Sequence, residues 1–284
     1  MPNHCFVPMK ISFQDASCTV FESELMQTTC TLIQRPNHLL LVDPNWLPSE
    51  VEAIAEEVAR VQAGRPLYLL FTHSDYDHII AYERFREDAS LIVSRALLEN
   101  PEPDLQLQEI RKFYDQYYLR PPRPITYPQE AALVITAEKE IHQIGTTSYE
   151  FYQAPGHNPD GLITFVPEAG ILLAGDYLCS PEFPFIYHSI EAYQNTLRRL
   201  AGLLEREELR LLVPGHGPTS TSRVEMQNWL QDAQWYLDQL IAYGRDGEPF
   251  PETALWQRYP YFQSCQMQYH QENLKLAMET FSAR

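Results

Sequence analysis

The stretch Leu69-Leu70-Phe71-Thr72-His73-Ser74-Asp75-Tyr76-Asp77-His78 joins a short apolar run to a turn that carries two histidines and two aspartates. The run at residues 67–71 is continuously apolar, too short for a free-standing helix and closed by polar residues, which predicts a buried strand. Histidine and carboxylate side chains are the usual ligands of zinc, iron and manganese, and a compact turn lets several of them face one point. We therefore predict the first half of a metal site at the C-terminal end of this strand.

Three later stretches repeat this arrangement, because each is an apolar run that ends in glycine or proline before a ligand-type side chain. The runs at residues 149–156, 170–175 and 209–215 lead to His157, Asp176 and His216. Strand ends along one edge of a sheet can converge in space, and glycine beside a ligand lets the backbone approach a bulky site closely. The four stretches together predict one metal site.

In this order the blocks resemble the signature of the metallo-β-lactamase-fold hydrolases, which is a His-x-His-x-Asp-His turn followed by Gly-His, Gly-Asp and a second Gly-His. The blocks run from Asp43 to His216, so the resemblance covers about the first 220 residues. It implies an α/β (α+β) fold, a four-layer αβ/βα sandwich of two mixed β-sheets with helices outside. The blocks at residues 156–161 and 174–176 look like the glyoxalase II and lactonase side of the superfamily, which implies an ester, thioester or lactone substrate.

The resemblance also implies two divalent metal ions, with zinc in first place. His73, Asp75 and His157 would hold one ion, Asp77, His78 and His216 would hold the second, and Asp176 would bridge the two. Two such ions would supply a metal-bridging hydroxide for hydrolysis without a covalent intermediate. Asp77 would also act catalytically by orienting the water and passing its proton to the leaving group. Asp43 would buttress the site without binding metal.

The turn departs from the family signature at Asp75, which stands where the family usually has its second histidine. A carboxylate there adds negative charge and an oxygen donor, which favours a harder cation than an all-imidazole pocket does. The flavodiiron branch similarly carries an acidic residue here, so iron and manganese are alternatives to zinc. An iron-dependent oxidoreductase of the flavodiiron-like or dioxygenase-like type is therefore an alternative function. A non-catalytic metal-binding or interaction protein is another.

The protein is strongly acidic, since 38 Asp and Glu residues against 21 Lys and Arg residues give a formal charge of −17. A field of this sign repels phosphate backbones and anionic membranes, so we expect a small-molecule substrate and neither nucleic acid nor membrane as partner. The N-terminal residues do not follow the signal-peptide pattern, and no apolar run approaches the length of a membrane span. Five scattered cysteines without a Cys-x-x-Cys pair fit a reduced, cytoplasmic protein.

The rest of the chain predicts an antiparallel start followed by alternating helices and strands. Strands are expected near residues 9–14, 18–22, 27–34, 38–43 and 90–93, and helices near residues 49–62, 78–86, 94–100 and 190–207. Ser49 is placed to cap the first helix. Because no repeat or low-complexity linker interrupts the pattern, residues 1–284 are expected to form a single metallo-β-lactamase-like domain.

Two regions are expected to add to this core. Residues 101–130 are rich in proline and predict an insertion around a helix at residues 106–118. The aromatic side chains of that helix form either local core or a lid over the site; they are Phe113, Tyr114, Tyr117 and Tyr118. Residues 220–284 predict a helical extension, with helices near residues 222–243 and 271–281. Its apolar stripe packs on its own domain or forms the surface of a homodimer.

The loop that follows Asp176 is aromatic and interrupted by proline, and it leaves directly from a predicted ligand. Phe183, Phe185 and Tyr187 are therefore candidates for an apolar substrate wall, with simple packing as the alternative. His188 could assist proton transfer near neutral pH, although a single histidine in an aromatic loop is more often structural.

Overall fold

The computed structural model describes residues 9–261 and 263–281. These residues form two compact units. The first comprises the described residues up to Thr136 together with residues 142–148, and the second comprises residues 137–141 together with the described residues from Tyr149 onward. The expectation of a single domain stays a prediction.

The first unit is built on a mixed sheet of seven strands. They are β1 (Lys10–Gln14), β2 (Cys18–Glu22), β3 (Thr29–Gln34), β4 (Leu39–Val42), β5 (Leu67–Leu70), β6 (Ala89–Ser94) and β7 (Leu133–Ile135). In the sheet they lie in the order β1-β2-β3-β4-β5-β6-β7. Neighbours from β1 to β4 are antiparallel, and neighbours from β4 to β7 are parallel. Parallel neighbours end at the same edge of the sheet, so Asp43 after β4 and the histidine turn after β5 emerge side by side.

Five helices accompany this sheet: α1 (Pro48–Gln62), α2 (Tyr76–Ile79), α3 (Tyr82–Phe85), α4 (Arg95–Leu98) and α5 (Pro103–Gln116). The single helix predicted at residues 78–86 is wrong, because two short helices occupy this region. Ala81 separates them with φ −91° and ψ 7°, a conformation outside the regular helix. Helix α2 begins before His78, so it carries both Asp77 and His78 in its single turn.

The predicted cap of α1 is also wrong. The helix begins at Pro48, whose ring nitrogen has no hydrogen to leave unsatisfied, and Ser49 lies inside the first turn. The carboxylate of Glu50 takes the capping role, since it accepts the N–H of Leu47 at 3.1 Å and the hydroxyl of Ser23 at 2.8 Å. Glu50 is thereby buried with its charge hydrogen-bonded, as a buried carboxylate must be.

The core of the first unit lies between its sheet and helices. Val51, Ile54 and Val58 of α1 pack with apolar residues of β3, β4 and β5. In the insertion, Phe113 and its neighbour Tyr114 are buried in the same core, whereas Tyr118 is 96 % exposed. Helix α5 ends at Gln116, and the four aromatic residues predicted to lie on one helix are therefore divided between core and surface.

The second sheet is mixed and has five strands. They are β8 (Lys139–Ile144), β9 (Thr147–Gln153), β10 (Leu162–Val166), β11 (Ile171–Gly175) and β12 (Leu211–Pro214). They lie in the order β12-β11-β10-β9-β8, and apart from residues 142–144 and 147–148 they belong to the second unit. Strands β9, β10 and β11 are antiparallel neighbours, and β12 joins β11 in parallel. Asp176 after β11 and His216 after β12 therefore leave the same edge of this sheet.

The helices of the second unit are α6 (Ile190–Leu204), α7 (Arg223–Asp246), α8 (Glu252–Arg258) and α9 (Gln263–Phe281). Ser222 caps α7 by accepting the N–H of Glu225 at 3.3 Å. The apolar stripe of α7 is buried in the core of its own unit, where Met226 and Leu240 are fully covered. Helix α9 begins eight residues before the predicted start at residue 271, because polar residues on its buried face conceal the apolar period.

Candidate metal centre

In the first unit, Asp43 holds the histidine turn in place. Its Oδ1 accepts the Thr72 N–H at 2.9 Å, and its Oδ2 accepts the Thr72 hydroxyl at 2.5 Å. The same Oδ2 lies 3.0 Å from Nδ1 of His78. Since a carboxylate only accepts hydrogen bonds, it selects the Nδ1–H form of His78 and leaves Nε2 as the lone-pair nitrogen. Asp43 thus buttresses the turn in the way the resemblance implies.

The four ligand candidates of this turn form two nitrogen–oxygen pairs. Nε2 of His73 lies 3.6 Å from Oδ2 of Asp75, and Nε2 of His78 lies 3.5 Å from Oδ2 of Asp77. The two imidazole rings are 4.0 Å apart between centroids. Asp75 therefore reaches the neighbourhood of the His73 ring although its side chain is shorter than the histidine that the family signature places there.

The other three candidates lie together in the second unit. Oδ2 of Asp176 is 3.3 Å from Nε2 of His157 and 3.4 Å from Nε2 of His216. Nδ1 of His157 is 2.8 Å from the carbonyl oxygen of Phe185, which accepts its hydrogen and leaves Nε2 as the lone-pair nitrogen. One carboxylate oxygen thus faces two imidazole nitrogens, which is the arrangement of a shared ligand.

Two glycines allow the backbone beside His157 and His216 to pack closely against neighbouring groups. A Cβ atom on Gly215 would collide with Oδ1 of Asp176, and a Cβ atom on Gly156 would lie 2.5 Å from the backbone Cα of Tyr193. Gly156 also has φ +139°, a conformation that side chains with a Cβ rarely adopt. The Gly-His pairs of the sequence are therefore steric requirements of the second cluster.

Tyr177 fixes the backbone at His157. Its hydroxyl donates to the carbonyl of Ala154 at 2.8 Å and accepts the N–H of His157 at 3.1 Å. Burial raises the pKa of this hydroxyl, so it remains protonated and keeps donating at neutral pH. Nothing in the sequence patterns distinguished Tyr177 from other aromatic residues of the same loop.

The four residues predicted for substrate contact lie in different environments. Phe183 is 1 % exposed and stacks on Tyr236 with ring centroids 4.8 Å apart, and Phe185 stacks on Tyr269 at 4.4 Å. Tyr187 is 49 % exposed, and its ring centroid lies 5.0 Å from that of His157. His188 is exposed. A narrow cleft of the second unit is lined by His157, Asp176, Cys179, Phe183 and Phe185. Their role in substrate binding stays a prediction.

The donor set fits divalent metal ions. Two ligands that share one tetrahedral zinc ion, each about 2.0–2.2 Å from it, lie about 3.4 Å apart. The four nitrogen–oxygen separations within the two clusters are 3.3, 3.4, 3.5 and 3.6 Å. They are longer than a strong charge-assisted hydrogen bond between imidazole and carboxylate. The histidines therefore stand where nitrogen ligands would stand, although their ligand role remains a prediction.

A sequence profile of the metallo-beta-lactamase superfamily matches residues 24–221. The chain belongs to this superfamily. Among curated proteins, metallo-beta-lactamase type 2 of Bacillus sp. (strain 170) is 24 % identical over 209 residues, which cover 69 % of this chain and 69 % of the relative. The predicted family and the hydrolase type of function that the superfamily carries are confirmed. Helices α7 to α9 lie beyond the matched residues.

Solved structures agree on the fold of this superfamily member. A metallo-beta-lactamase family protein from Thermus thermophilus has a TM-score of 0.56 and 17 % identity, covering 84 % of this chain and 83 % of that chain. A metallo-beta-lactamase from Pontibacter korlensis has a TM-score of 0.55 and 15 % identity, covering 80 % of this chain and 99 % of that chain.

A longer protein shares the same fold. The stereoselective inverting sec-alkylsulfatase from Pseudomonas sp. has a TM-score of 0.60 and 12 % identity over 84 % of this chain, which spans only 42 % of the sulfatase. The predicted fold class, two mixed sheets with helices, is thus confirmed. Across the described ranges, none of the helices has both the length and the hydropathy that a membrane span requires.

Proposed function

We propose that the protein is a hydrolase that holds two divalent ions with the side chains of both clusters and cleaves a small ester, thioester or lactone. One observation carries the proposal. The imidazoles of His73, His78 and His157 each direct Nδ1 at a protein oxygen, and each has its Nε2 beside a carboxylate oxygen. Superfamily membership supports interpreting this arrangement as a hydrolase site.

The residues of the two clusters would have separate roles in metal binding and catalysis. His73, Asp75 and His157 would bind the first ion, Asp77, His78 and His216 the second, and Asp176 both. Two divalent ions would supply the Lewis acidity that lowers the pKa of water towards neutrality and polarises the bond under attack. Asp77, a buried carboxylate on the single turn of α2, would orient the attacking water and hold its proton for the leaving group. Asp43 would keep His78 in its binding orientation.

Substrate choice would rest on charge and on the loop after Asp176. The formal charge of −17 disfavours polyanionic substrates, so a small neutral or weakly charged molecule is the proposed class. Tyr187, half exposed beside the His157 ring, would offer a flat apolar face to such a molecule, and His188 would lie at the rim. Phe183 would support this loop from the core.

Metal content per chain, measured by plasma mass spectrometry on protein purified without a metal-affinity tag, tests the proposal together with panels of esters, thioesters and lactones. We expect about two ions per wild-type chain and hydrolysis of one panel class. Asp176→Asn and His157→Ala should lose both metal and activity. The control Asp238→Asn changes an exposed aspartate of α7 and should keep both. Unchanged metal content and activity in Asp176→Asn and His157→Ala would refute the site assignment.

Asp75 gives a reason to test a second function, an iron-dependent oxidoreductase. Its oxygen lies 3.6 Å from Nε2 of His73, so the first cluster offers a mixed nitrogen–oxygen environment that suits iron or manganese. Two irons per chain, an iron-linked visible absorption band and oxygen consumption with an added electron donor would favour this function over hydrolysis. Metal-free wild-type protein that still folds would favour a non-catalytic interaction protein.

A further inference from the structure

Helix α9 lies beyond residues 24–221, which match the superfamily profile. Its buried face carries more polar than apolar residues. The buried residues follow helical spacing, and three of them are polar: Gln266, His270 and Asn273. Asn273 is 2 % exposed and His270 is fully covered. Burying an amide or an imidazole costs free energy unless each polar atom finds a partner, so this face calls for an explanation.

Gln266 and Asn273 find partners among the backbone groups of the loop that leads away from Asp176. Nε2 of Gln266 donates to the carbonyl of Pro181 at 2.7 Å. Nδ2 of Asn273 donates to the carbonyl of Pro184 at 2.7 Å, and Oδ1 of Asn273 accepts the N–H of Ile186 at 3.1 Å. The asparagine amide thus pairs with the backbone on both sides of Phe185.

The contact with Ile186 reaches His157 through a single peptide group. The Ile186 N–H and the Phe185 carbonyl belong to the same planar peptide and point in opposite directions when it is trans. Asn273 binds the N–H side, and the carbonyl side accepts the hydrogen of His157 Nδ1 at 2.8 Å. Because the peptide is rigid, holding its N–H also holds the carbonyl that orients the imidazole. The hydrogen bonds along such a chain also strengthen one another.

Asn273 is itself held by a chain of hydrogen bonds that passes through residues of α7, its own helix and α8. Its Nδ2 donates to the hydroxyl of Tyr236 at 2.9 Å, and that hydroxyl lies 3.0 Å from Nδ1 of His270. Nε2 of His270 lies 3.2 Å from a carboxylate oxygen of Glu252. Burial lowers the pKa of His270 and raises the pKa of Tyr236, so both stay neutral near pH 7. The tyrosine then donates to Nδ1, and Nε2–H donates to Glu252.

We infer that Asn273 is a positioning residue for the metal centre: through the Phe185–Ile186 peptide it fixes the Nδ1–H form of His157 and aims Nε2 at the ion. The inference rests on the proposed function, because an aimed Nε2 matters only where a metal binds. It assigns a role to the helical extension, whose helix α9 holds the loop backbone through three hydrogen bonds of Gln266 and Asn273.

The test uses the full chain and two readouts. The first is the tautomer of His157 in metal-free, ¹⁵N-histidine-labelled protein, read from long-range ¹H–¹⁵N correlations and assigned with a His157→Gln sample. The second is the affinity for Co²⁺ from its visible absorption on titration. We expect the wild type to show the Nδ1–H form. Asn273→Ala should show a mixture of both tautomers and about tenfold weaker Co²⁺ binding, as when an outer partner of a ligand is removed.

Two comparison variants separate positioning from general loss of stability. Leu274→Ala truncates a buried neighbour on the same helix whose apolar side chain forms no hydrogen bond to the loop backbone, so it should unfold more easily and keep the wild-type tautomer and Co²⁺ affinity. If Asn273→Ala does not fold, Tyr236→Phe, which removes only the hydroxyl behind Asn273, should shift the tautomer and the affinity in the same direction.

Three results would overturn the positioning role. They are an Asn273→Ala protein with the wild-type tautomer and Co²⁺ affinity, a Leu274→Ala protein shifted as far as Asn273→Ala, and an unchanged Tyr236→Phe protein where Asn273→Ala is unfolded. A wild type that holds the Nδ1–H form but binds no metal would instead refute the proposed function, and the orientation of His157 by Asn273 would stand.

Discussion

Oδ2 of Asp43 lies 3.0 Å from Nδ1 of His78, and the same carboxylate accepts both the N–H and the hydroxyl of Thr72. One buried side chain therefore satisfies three donors. An amide in its place offers a single acceptor oxygen and puts an NH₂ group at the other position, so Asp43→Asn must leave at least one of these donors without an acceptor.

We expect Asp43→Asn to weaken Zn²⁺ or Co²⁺ binding by about 10–100-fold, because His78 loses the partner that fixes its orientation. A competition titration with a coloured chelator measures this. Asp15→Asn is the matched control, since Asp15 accepts the N–H groups of Ser17 and Cys18 in a strand turn of the same unit. Equal losses in both variants would show that the effect on metal binding is general destabilisation.

The two glycines Gly156 and Gly202 give opposite expectations for the same substitution. Gly156→Ala places a Cβ 2.5 Å from the Tyr193 backbone and should lower the free energy of unfolding by about 2–3 kcal/mol and reduce metal content. Gly202→Ala lies in α6 with nothing near its Cβ and should raise stability by up to about 1 kcal/mol. Urea unfolding of both variants measures the difference. A neutral Gly156→Ala would contradict the close approach of Gly156 to the Tyr193 backbone in α6.

Asp75→His restores the family's usual histidine and should shift metal preference towards zinc. In protein loaded from an equimolar mixture of zinc, iron and manganese, we expect the zinc fraction to rise in the variant, because imidazole replaces a hard oxygen donor. Asp88→His, at an exposed position after α3, should leave the metal ratio unchanged. An unchanged ratio in Asp75→His would mean that Asp75 does not bind the ion.

His38 should make the stability of the protein depend on pH. Burial, then the nearby Arg35 and Arg65 charges, lower the pKa of His38 from 6.5 to about 4. Between about pH 6.5 and pH 4, His38 is therefore protonated in the unfolded chain and neutral in the folded chain. The stabilisation that neutral His38 contributes to the folded state is complete above about pH 6.5 and is lost as the pH falls towards 4. Between pH 7.5 and pH 5 the loss should be about 2 kcal/mol.

Urea unfolding of wild type and His38→Gln at the two pH values measures this contribution. The variant lacks the titrating group and should lose about 2 kcal/mol less than wild type on acidification. His142→Gln, on strand β8, serves as the control for the loss of an imidazole side chain. A His38→Gln protein with the full wild-type dependence would show that His38 is already protonated in the folded state or that other groups dominate.

The sequence by itself determined the family, the order of the ligand blocks and the strands that lead to them. The reason is local: the run at residues 67–71 is too short for a free-standing helix and is closed by polar residues, and the glycines before His157 and His216 stand where a Cβ atom would collide with neighbouring groups. The departure at Asp75 was also visible in the sequence, because a signature fixes which side chain is expected at each position.

Only the tertiary structure decided which distant groups fix the ligand candidates. Asp43 is 35 residues from His78, and the Phe185 carbonyl is 28 residues from His157. Asn273 lies 87 residues from Ile186, whose N–H it binds. It belongs to helix α9, whose buried face is partly polar and therefore lacks the apolar periodicity by which a helix is predicted from sequence. The sequence shows which side chains can bind a metal or a proton. The backbone groups that orient those side chains are the same in every residue other than proline, so only the folded structure shows which of them point at a ligand candidate.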